Sequence, residues 1–309
     1  MTEIKKRNSS LSRISPSDRA FNIINTCFFL FYLTIIIYPL WIVVMASVSD
    51  PDAVFQGEVF WRPVNPSLMG YQAISNFTLL WRSYLNSIVY TISYTIVAVF
   101  ITLAAAFALI NQFPGRKAFN WYFVLTMFFS GGLIPTFLLM NTIGLFNNPL
   151  IMVLMGTVSV WNLMIARTYI SGNIPKELYE SAHMDGASYF YIFFRIVLPL
   201  SSTIVAVLCI FFAVGRWNDF FMGLVYIRNR SWLPLQTVLR EIVVTLSIDT
   251  AMITEMVPDD DMTFVRDKAR IAEVAKYCAI VLSTGPAVIL FVTMQDYFRK
   301  GVMIGSIKG

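Results

Sequence analysis

Long runs of residues without a single charge set the hydrophobic pattern of this sequence. Arg19 and Asp50 bound the first run, and Lys117 and Arg167 bound the longest. A helix that crosses a bilayer needs about 20 mainly apolar residues, so most of these runs predict one helix and the longest predicts two. Turn-forming residues at 141–149 divide the longest run. The pattern predicts an all-α membrane protein with six transmembrane helices, over residues 21–47, 84–110, 119–140, 149–168, 199–223 and 277–298.

The distribution of lysine and arginine predicts the orientation of these helices. Arg116 and Lys117 lie in the tight turn after the second helix, whereas the turn over 141–149 carries no charge. Cytoplasmic loops carry the excess of basic residues, so we expect both termini in the cytoplasm. The expected soluble segments are the two termini, two long outer segments and one inner loop, over residues 1–20, 299–309, 48–83, 224–276 and 171–198, with 84–298 as the core.

Composition agrees with a membrane protein and excludes several classes of function. The chain is 57% hydrophobic and 13% charged, against about 25% charged in ordinary soluble domains, so a soluble enzyme, a secreted scaffold and a disordered chain are excluded. The net charge of +5 follows from topology and does not indicate nucleic-acid binding. With one histidine, three scattered cysteines and no glycine-rich phosphate loop, we expect no catalytic residue, no metal and no bound cofactor.

The inner loop over 171–198 carries the most informative pattern. Pro175 suits the first turn of a helix, and Gly186 ends that helix before a second one begins. This loop resembles the EAA loop of binding-protein-dependent ABC importer permeases, and the positions that carry the resemblance are Glu180, Ser181, Ala182, Gly186, Ile196, Leu198 and Pro199. The departure from the family pattern is Ser181, which stands in place of an alanine.

Other stretches resemble one branch of that family, the maltose-type carbohydrate permeases. These stretches are the flanks of the EAA pattern at 174–178 and 185–188, the segment 216–221, and the C-terminal stretches 295–301 and 305–309. Residues 233–241 are similar to the subgroup associated with large oligosaccharides. The resemblance therefore covers nearly the whole chain and implies the type I ABC importer permease fold.

The resemblance also implies a role for the inner loop, as a coupling helix that docks on an ATPase subunit. In such a contact Ala182 permits close approach, Glu180 supplies an orienting charge, and Gly186 permits a backbone angle that other residues resist. Leu178 and Met184 are the expected apolar anchors. The full set implied for ATPase coupling is Glu177, Leu178, Glu180, Ser181, Ala182, Met184, Asp185 and Gly186.

The partners and location implied by the resemblance are those of a bacterial sugar importer. They are a second and different permease subunit, two ATPase subunits that bind ATP and magnesium, and a lipid-anchored extracellular sugar-binding protein. The implied substrate is an oligosaccharide, and the implied location is the bacterial cell membrane.

Residues that touch the substrate are expected near the outer end of the fifth span. Arg216 and Asp219 are charged residues there, and their i,i+3 spacing lets them pair with each other on one helix face. Trp217 and Asn218 suit a sugar, because aromatic stacking and amide hydrogen bonds both bind carbohydrates. The candidates for the substrate path are Trp217, Asn218, Asp219, Trp161 and Asn162, with Asn141 and Tyr94 as weaker ones.

Two other functions compete with an oligosaccharide permease. One is an ABC permease for a peptide, an amino acid or an anion, which the EAA pattern also allows. The other is an ion-coupled secondary transporter. Against that class, the sequence shows no acidic cluster in the middle of a span and indicates no repeated broken helix.

Overall fold

Helices make up the fold. The computed structural model describes residues 16–242, 244 and 262–306, and these residues contain no β-strand, which confirms the all-α expectation for them. The helices are α1 (Pro16–Ser47), α2 (Pro51–Phe55), α3 (Met69–Ser75), α4 (Thr78–Ile110), α5 (Arg116–Phe128), α6 (Leu133–Thr142), α7 (Ile151–Leu154), α8 (Val160–Asn173), α9 (Lys176–Met184), α10 (Tyr189–Ile192), a π-helix (Phe193–Val197), α11 (Leu198–Leu200), α12 (Ser202–Trp217), α13 (Phe221–Tyr226), a 3-10 turn (Arg230–Trp232), α14 (235–242) and α15 (Met262–Ser306).

Parts of three predicted soluble segments lie outside the described residues. They are 1–15 of the N-terminal segment, 243 and 245–261 of the outer segment, and 307–309 of the tail.

Three described helices are long and apolar enough to cross a membrane, namely Ser17–Ser47, Thr78–Ile110 and Arg270–Thr293. Two bent pairs pass the same test together, one formed by α5 and α6 and the other by α10–α11 and α12. The described residues therefore give up to five spans by length and composition. The remaining predicted span, 149–168, consists of α7 and α8 with a non-helical break between them, so the count of six stays a prediction.

The third predicted span, 119–140, is not one straight helix. Helix α5 ends at Phe128, α6 begins at Leu133, and the two axes differ by 116°. Gly132 lies in the bend with φ of 83°, a conformation that glycine adopts without steric cost. Hydropathy records the length of an apolar run and not its direction, so the pattern did not reveal this bend.

A second bend, of 82°, lies between α11 and α12. Pro199 lacks the N–H that an α-helix needs there, and the residues just before α11 form a π-helix, a rare element that often marks a functional site. Helix α12 then ends at Trp217, short of the predicted boundary at 223. The described residues thus contain two bent helix pairs, and this second bend lies at the predicted boundary between the inner loop and the fifth span.

Buried apolar side chains form two clusters at opposite ends of α4. The first cluster surrounds the beginning of α4 and includes side chains from α1, α2, α3, α14 and α15. We call this the loop end, because residues 48–77 and 218–242 lie there. The second cluster surrounds the last turns of α4 with side chains from α8, α9 and α12, and we call it the α9 end. The two ends are the places where the predicted functional residues are found.

Helix α3 packs closely on α15 at Gly70. A Cβ at this position would lie 2.6 Å from Val274 Cγ1 and 2.7 Å from Cys278 Sγ, and both neighbours are fully buried. A hydrogen atom therefore fits where a methyl group does not.

Gly70→Ala is expected to destabilise the protein. Overpacking a well-filled core costs about 1–3 kcal/mol, and each kcal/mol lowers the melting temperature by roughly 2–4 °C in a large domain. Gly285→Ala is the matched control, because it also lies in a helix and its Cβ would meet nothing within 4 Å. Thermal unfolding in detergent checks the pair. Equal melting temperatures for the two variants would contradict the close packing of α3 on α15.

Candidate functional site

Helix α9 is defined by the residues at its two ends. Pro175 precedes it in an extended conformation, and Glu177 lies in its first turn, where the helix dipole favours negative charge. At the other end Gly186 has φ of 77°, its N–H donates to the His183 carbonyl at 3.0 Å, and the Ala187 N–H donates to the Ala182 carbonyl at 2.9 Å. These two bonds form a Schellman cap. The structure thus has the short helix and the glycine turn that the sequence predicts.

The inner face of α9 packs against the α9 end of the bundle. Ala182 is 8% exposed and belongs to the cluster formed by α4, α8 and α12. Tyr179, three residues earlier, places its ring 6.2 Å from the ring of Phe107 on α4. The small side chain at 182 lets the helix lie close to the bundle, while the tyrosine fixes its rotation.

The outer face of α9 is uncovered. Met184 is 88% exposed and Leu178 is 39% exposed. Glu177, Glu180 and Ser181 are also exposed. Neither glutamate forms an ion pair with any residue that the structure describes. The face therefore combines free carboxylates with an apolar side chain that water does not favour.

A groove separates α9 from the segment that follows it. Its lining comes from Leu178, Ser181, Ala182, Asp185, Gly186, Ala187, Ser188, Tyr191 and Ile196, and its volume is ≈ 630 Å³. The rings of His183 and Tyr189 lie 4.8 Å apart and connect α9 to α10. All eight residues predicted for ATPase coupling thus lie on one continuous segment, and five of them line this groove.

Burial raises the pKa of Tyr179 to about 12. Its hydroxyl is buried and has no hydrogen-bond partner among the described residues. The phenol is therefore neutral at ordinary pH and contributes packing rather than a polar contact.

Tyr179→Phe is expected to keep the melting temperature at pH 7 unchanged or slightly higher, because it removes an unpaired buried hydroxyl. The folded-state pKa exceeds the ordinary value of 10.0, so the unfolded chain ionises first and the wild type loses stability as pH rises from 10 towards 12. The phenylalanine variant lacks this loss. Melting temperatures at pH 7 and pH 11 measure both effects. A marked loss for the variant at pH 7 would mean that the hydroxyl is hydrogen-bonded.

At the loop end, Arg216 and Asp219 form the ion pair that their spacing predicts, with Nη1 and Oδ2 3.0 Å apart. The arginine is only 7% exposed. Its Nη2 donates to the Met155 carbonyl at 2.6 Å, and its Cζ lies 3.9 Å from the centroid of the Tyr94 ring. The Tyr94 hydroxyl in turn donates to the Gly156 carbonyl at 2.7 Å. One buried charge therefore ties α12 to α4 and to the break before α8.

Trp217 packs inside the bundle. It is 5% exposed, its indole N–H donates to the Ser283 carbonyl at 2.8 Å, and its ring lies 5.7 Å from that of Tyr84. The residue joins α4, α12 and α15. In this conformation its ring is covered and does not offer a stacking face to a sugar.

The remaining candidates for the substrate path are scattered. Asn162 is buried and lines the same groove as Arg216 and Asp219. Asn218 is exposed and donates to the Val214 carbonyl on its own helix at 3.0 Å. Trp161 is 64% exposed, and Asn141 is exposed near the end of α6, and neither lines that groove.

The groove residues that were not predicted include Gly156 and Ser159. Gly156 has φ of 82°, and the Ser159 Oγ accepts the N–H of Asn162 at 3.4 Å and caps α8. A glycine inside an apolar run signals a break in a helix. The glycine at 156 does not indicate which side chain, distant in sequence, packs against this break.

Comparison with known proteins identifies the family. Residues 68–304 match the model of the binding-protein-dependent transport system inner membrane component. The polygalacturonan/rhamnogalacturonan transport system permease protein YtcP of Bacillus subtilis is 31% identical over 94% of this chain and 99% of its own length. Protein LplC of the same organism is 31% identical over 96% of this chain and 97% of its own length.

A solved structure supports the same assignment. It is a bacterial ABC transporter involved in the import of the acidic polysaccharide alginate, and one of its chains superposes with a TM-score of 0.81 at 29% identity, covering 92% of this chain and 98% of that chain. The family model covers most of the sequence, and the fold agrees with it. The chain therefore belongs to the family of binding-protein-dependent transport system inner membrane components.

Proposed function

We propose that this chain is a transmembrane permease subunit of an ATP-driven ABC importer for oligosaccharides. Its similarity to a polygalacturonan/rhamnogalacturonan permease and to an importer of the polysaccharide alginate supports that substrate class. The chain would form half of the translocation path, and a second, different permease subunit would form the other half.

The observation that carries the coupling role is the two-faced packing of α9. Its inner face is fixed to the bundle through Ala182, and its outer face presents Glu180 and the nearly fully exposed Met184. Met184 lies four residues after Glu180, so the two side chains share one face of α9 and would supply an apolar and a charged contact to a partner. The proposed partner is one of two ATPase subunits, which bind ATP and magnesium, whereas this chain is a non-catalytic subunit.

The two ends of α4 then face opposite sides of the bacterial cell membrane. The α9 end and both termini lie in the cytoplasm, and the loop end lies outside, where a lipid-anchored binding protein delivers the sugar. Movement of the ATPase pair displaces α9, and the bent connection through the π-helix and Pro199 passes the displacement to α12. Helix α12 carries Arg216, so the groove at the loop end changes with the position of α9.

Uptake by proteoliposomes tests the proposed function. The vesicles hold the chain with its co-purified subunits, and radiolabelled oligosaccharide is offered outside with its binding protein. We expect uptake that requires ATP inside and that continues when an ionophore removes proton and sodium gradients. Uptake that stops with the ionophore and ignores ATP would instead identify an ion-coupled secondary transporter. ATP-driven uptake of peptides, amino acids or inorganic anions without any sugar would identify a permease for another solute.

A further inference from the structure

The groove around Arg216 is a built polar site inside an apolar bundle. It has a volume of ≈ 400 Å³, and its polar lining includes Tyr94, Ser159, Asn162, Arg216 and Asp219. Arg216 is nine-tenths buried. A charge inside a membrane bundle is costly, and such residues mark functional sites. The lining supplies a fixed cation, a carboxylate, an amide and a hydroxyl around one space.

The hydrogen-bond capacity of Arg216 is only partly used. A guanidinium has five N–H donors. Nη1 donates to Asp219 and Nη2 donates to Met155, but the buried Nε has no partner among the described residues. A buried charged donor without an acceptor costs about 1–3 kcal/mol or more. The described residues therefore leave the Nε–H of Arg216 without a hydrogen-bond acceptor.

Asp219 holds the arginine in place and offsets its charge. Its Oδ1 accepts the Met222 N–H at 3.0 Å while its Oδ2 pairs with Arg216. The Asp219 side chain is 23% exposed and that of Arg216 is 5% exposed. The pair is formally neutral, and the arginine is its more deeply buried member.

We propose that this groove binds the carboxylate of an acidic sugar unit, with the Arg216 guanidinium as its ligand. The inference rests on the proposed import of oligosaccharides and names the chemical class of the substrate. A planar guanidinium suits a carboxylate acceptor, and Nε, which is buried in this conformation, has no other acceptor among the described residues. Asn162 and Ser159 are placed to meet the hydroxyl groups of the same sugar unit.

The test uses two trisaccharides that differ only in charge, trigalacturonate and its full methyl ester. The intact importer is reconstituted with its binding protein, and ATP-driven uptake of both compounds is measured for the wild type, Arg216→Gln, Arg216→Lys and Arg230→Gln. Arg230 is the matched control, because it also pairs with a carboxylate, Glu241 at 2.6 Å, but its side chain is 67% exposed. Every variant is assayed with the same binding protein, so the preference of that protein for acid or ester affects all acid-to-ester ratios equally.

The wild type is expected to import the acid faster than the ester. Arg216→Gln should reduce that ratio by roughly tenfold or more, since a hydrogen bond to a charged group contributes about 1.5–3 kcal/mol. Arg216→Lys keeps the positive charge but lacks the planar guanidinium, so it should give an intermediate acid-to-ester ratio. If the glutamine variant does not assemble, the lysine variant provides the comparison with the wild type. Arg230→Gln should keep the wild-type ratio.

An unchanged acid-to-ester ratio in both Arg216 variants overturns the assignment of the groove. Import of uncharged oligosaccharides alone also overturns it, and the proposed function stands in that case. A lack of ATP-driven import of any oligosaccharide overturns the proposed function itself.

Discussion

Gly186→Val is expected to reduce uptake by the assembled importer by roughly tenfold or more. The native φ of 77° lies in the left-handed region, where an ordinary residue costs about 1–2 kcal/mol and a β-branched residue more. The strain opposes the Schellman cap that ends α9, so the last turn of the helix loses its hydrogen bonds and its outer face is misplaced. Because about 1.4 kcal/mol corresponds to a factor of ten, the equilibrium constant for forming the capped end of α9 falls by that order.

Gly144→Val separates this local effect from a general loss of stability. Gly144 has φ of 76°, and a Cβ would meet nothing within 4 Å at either glycine, so the two substitutions impose the same strain. Gly144 lies in the turn after α6, away from α9. We expect similar melting temperatures for the two variants but near-normal uptake per assembled complex for Gly144→Val. Equal losses of uptake would contradict a special role for the turn after α9.

Glu180→Lys is expected to release the ATPase subunit. Glu180 is exposed and has no ion pair with a described residue, so its replacement should change the free energy of unfolding by only about 0.5 kcal/mol. In an interface that accepts a carboxylate, a reversed charge costs several kcal/mol. The amount of ATPase that co-purifies with the tagged chain is therefore expected to fall by roughly a hundredfold, since about 2.7 kcal/mol corresponds to that factor.

Glu58→Lys is the control for charge reversal. Glu58 is also an exposed glutamate, but it follows α2 at the loop end. We expect the wild-type amount of ATPase in this variant and an unchanged melting temperature in both. Retention of the ATPase by Glu180→Lys at wild-type levels would place the ATPase contact elsewhere.

Local signals made α9 predictable from the sequence. A proline before the helix, a glutamate in its first turn and Asp185-Gly186 after it are all short-range determinants, and the structure has the helix between them. The bend at Gly132 was not predicted, because it lies inside a continuous apolar run. The bend at Ser201 lies two residues from the predicted start of the fifth span at 199. The two-glycine signal at Gly131 and Gly132 was available, but it competes with a run long enough for one straight helix.

The groove at the loop end was predictable only in part. The Arg216–Asp219 pair follows from i,i+3 spacing on one helix, and it forms. The bond from Arg216 to Met155 joins residues 61 positions apart, and no local pattern reports such a contact. Trp217 was chosen for its chemistry, but burial against α4 and α15 is decided by the packing of helices distant in sequence.

Site-directed photo-crosslinking tests whether the outer face of α9 contacts the ATPase. A photoreactive phenylalanine analogue replaces Met184, which is 88% exposed, and in a control chain it replaces Trp61, which is 67% exposed at the loop end. Both chains are irradiated in intact membranes and analysed by mass spectrometry. We expect position 184 to crosslink to the ATPase subunit and position 61 not to do so. An assembled importer in which position 184 crosslinks only to lipid or to the binding protein would contradict it.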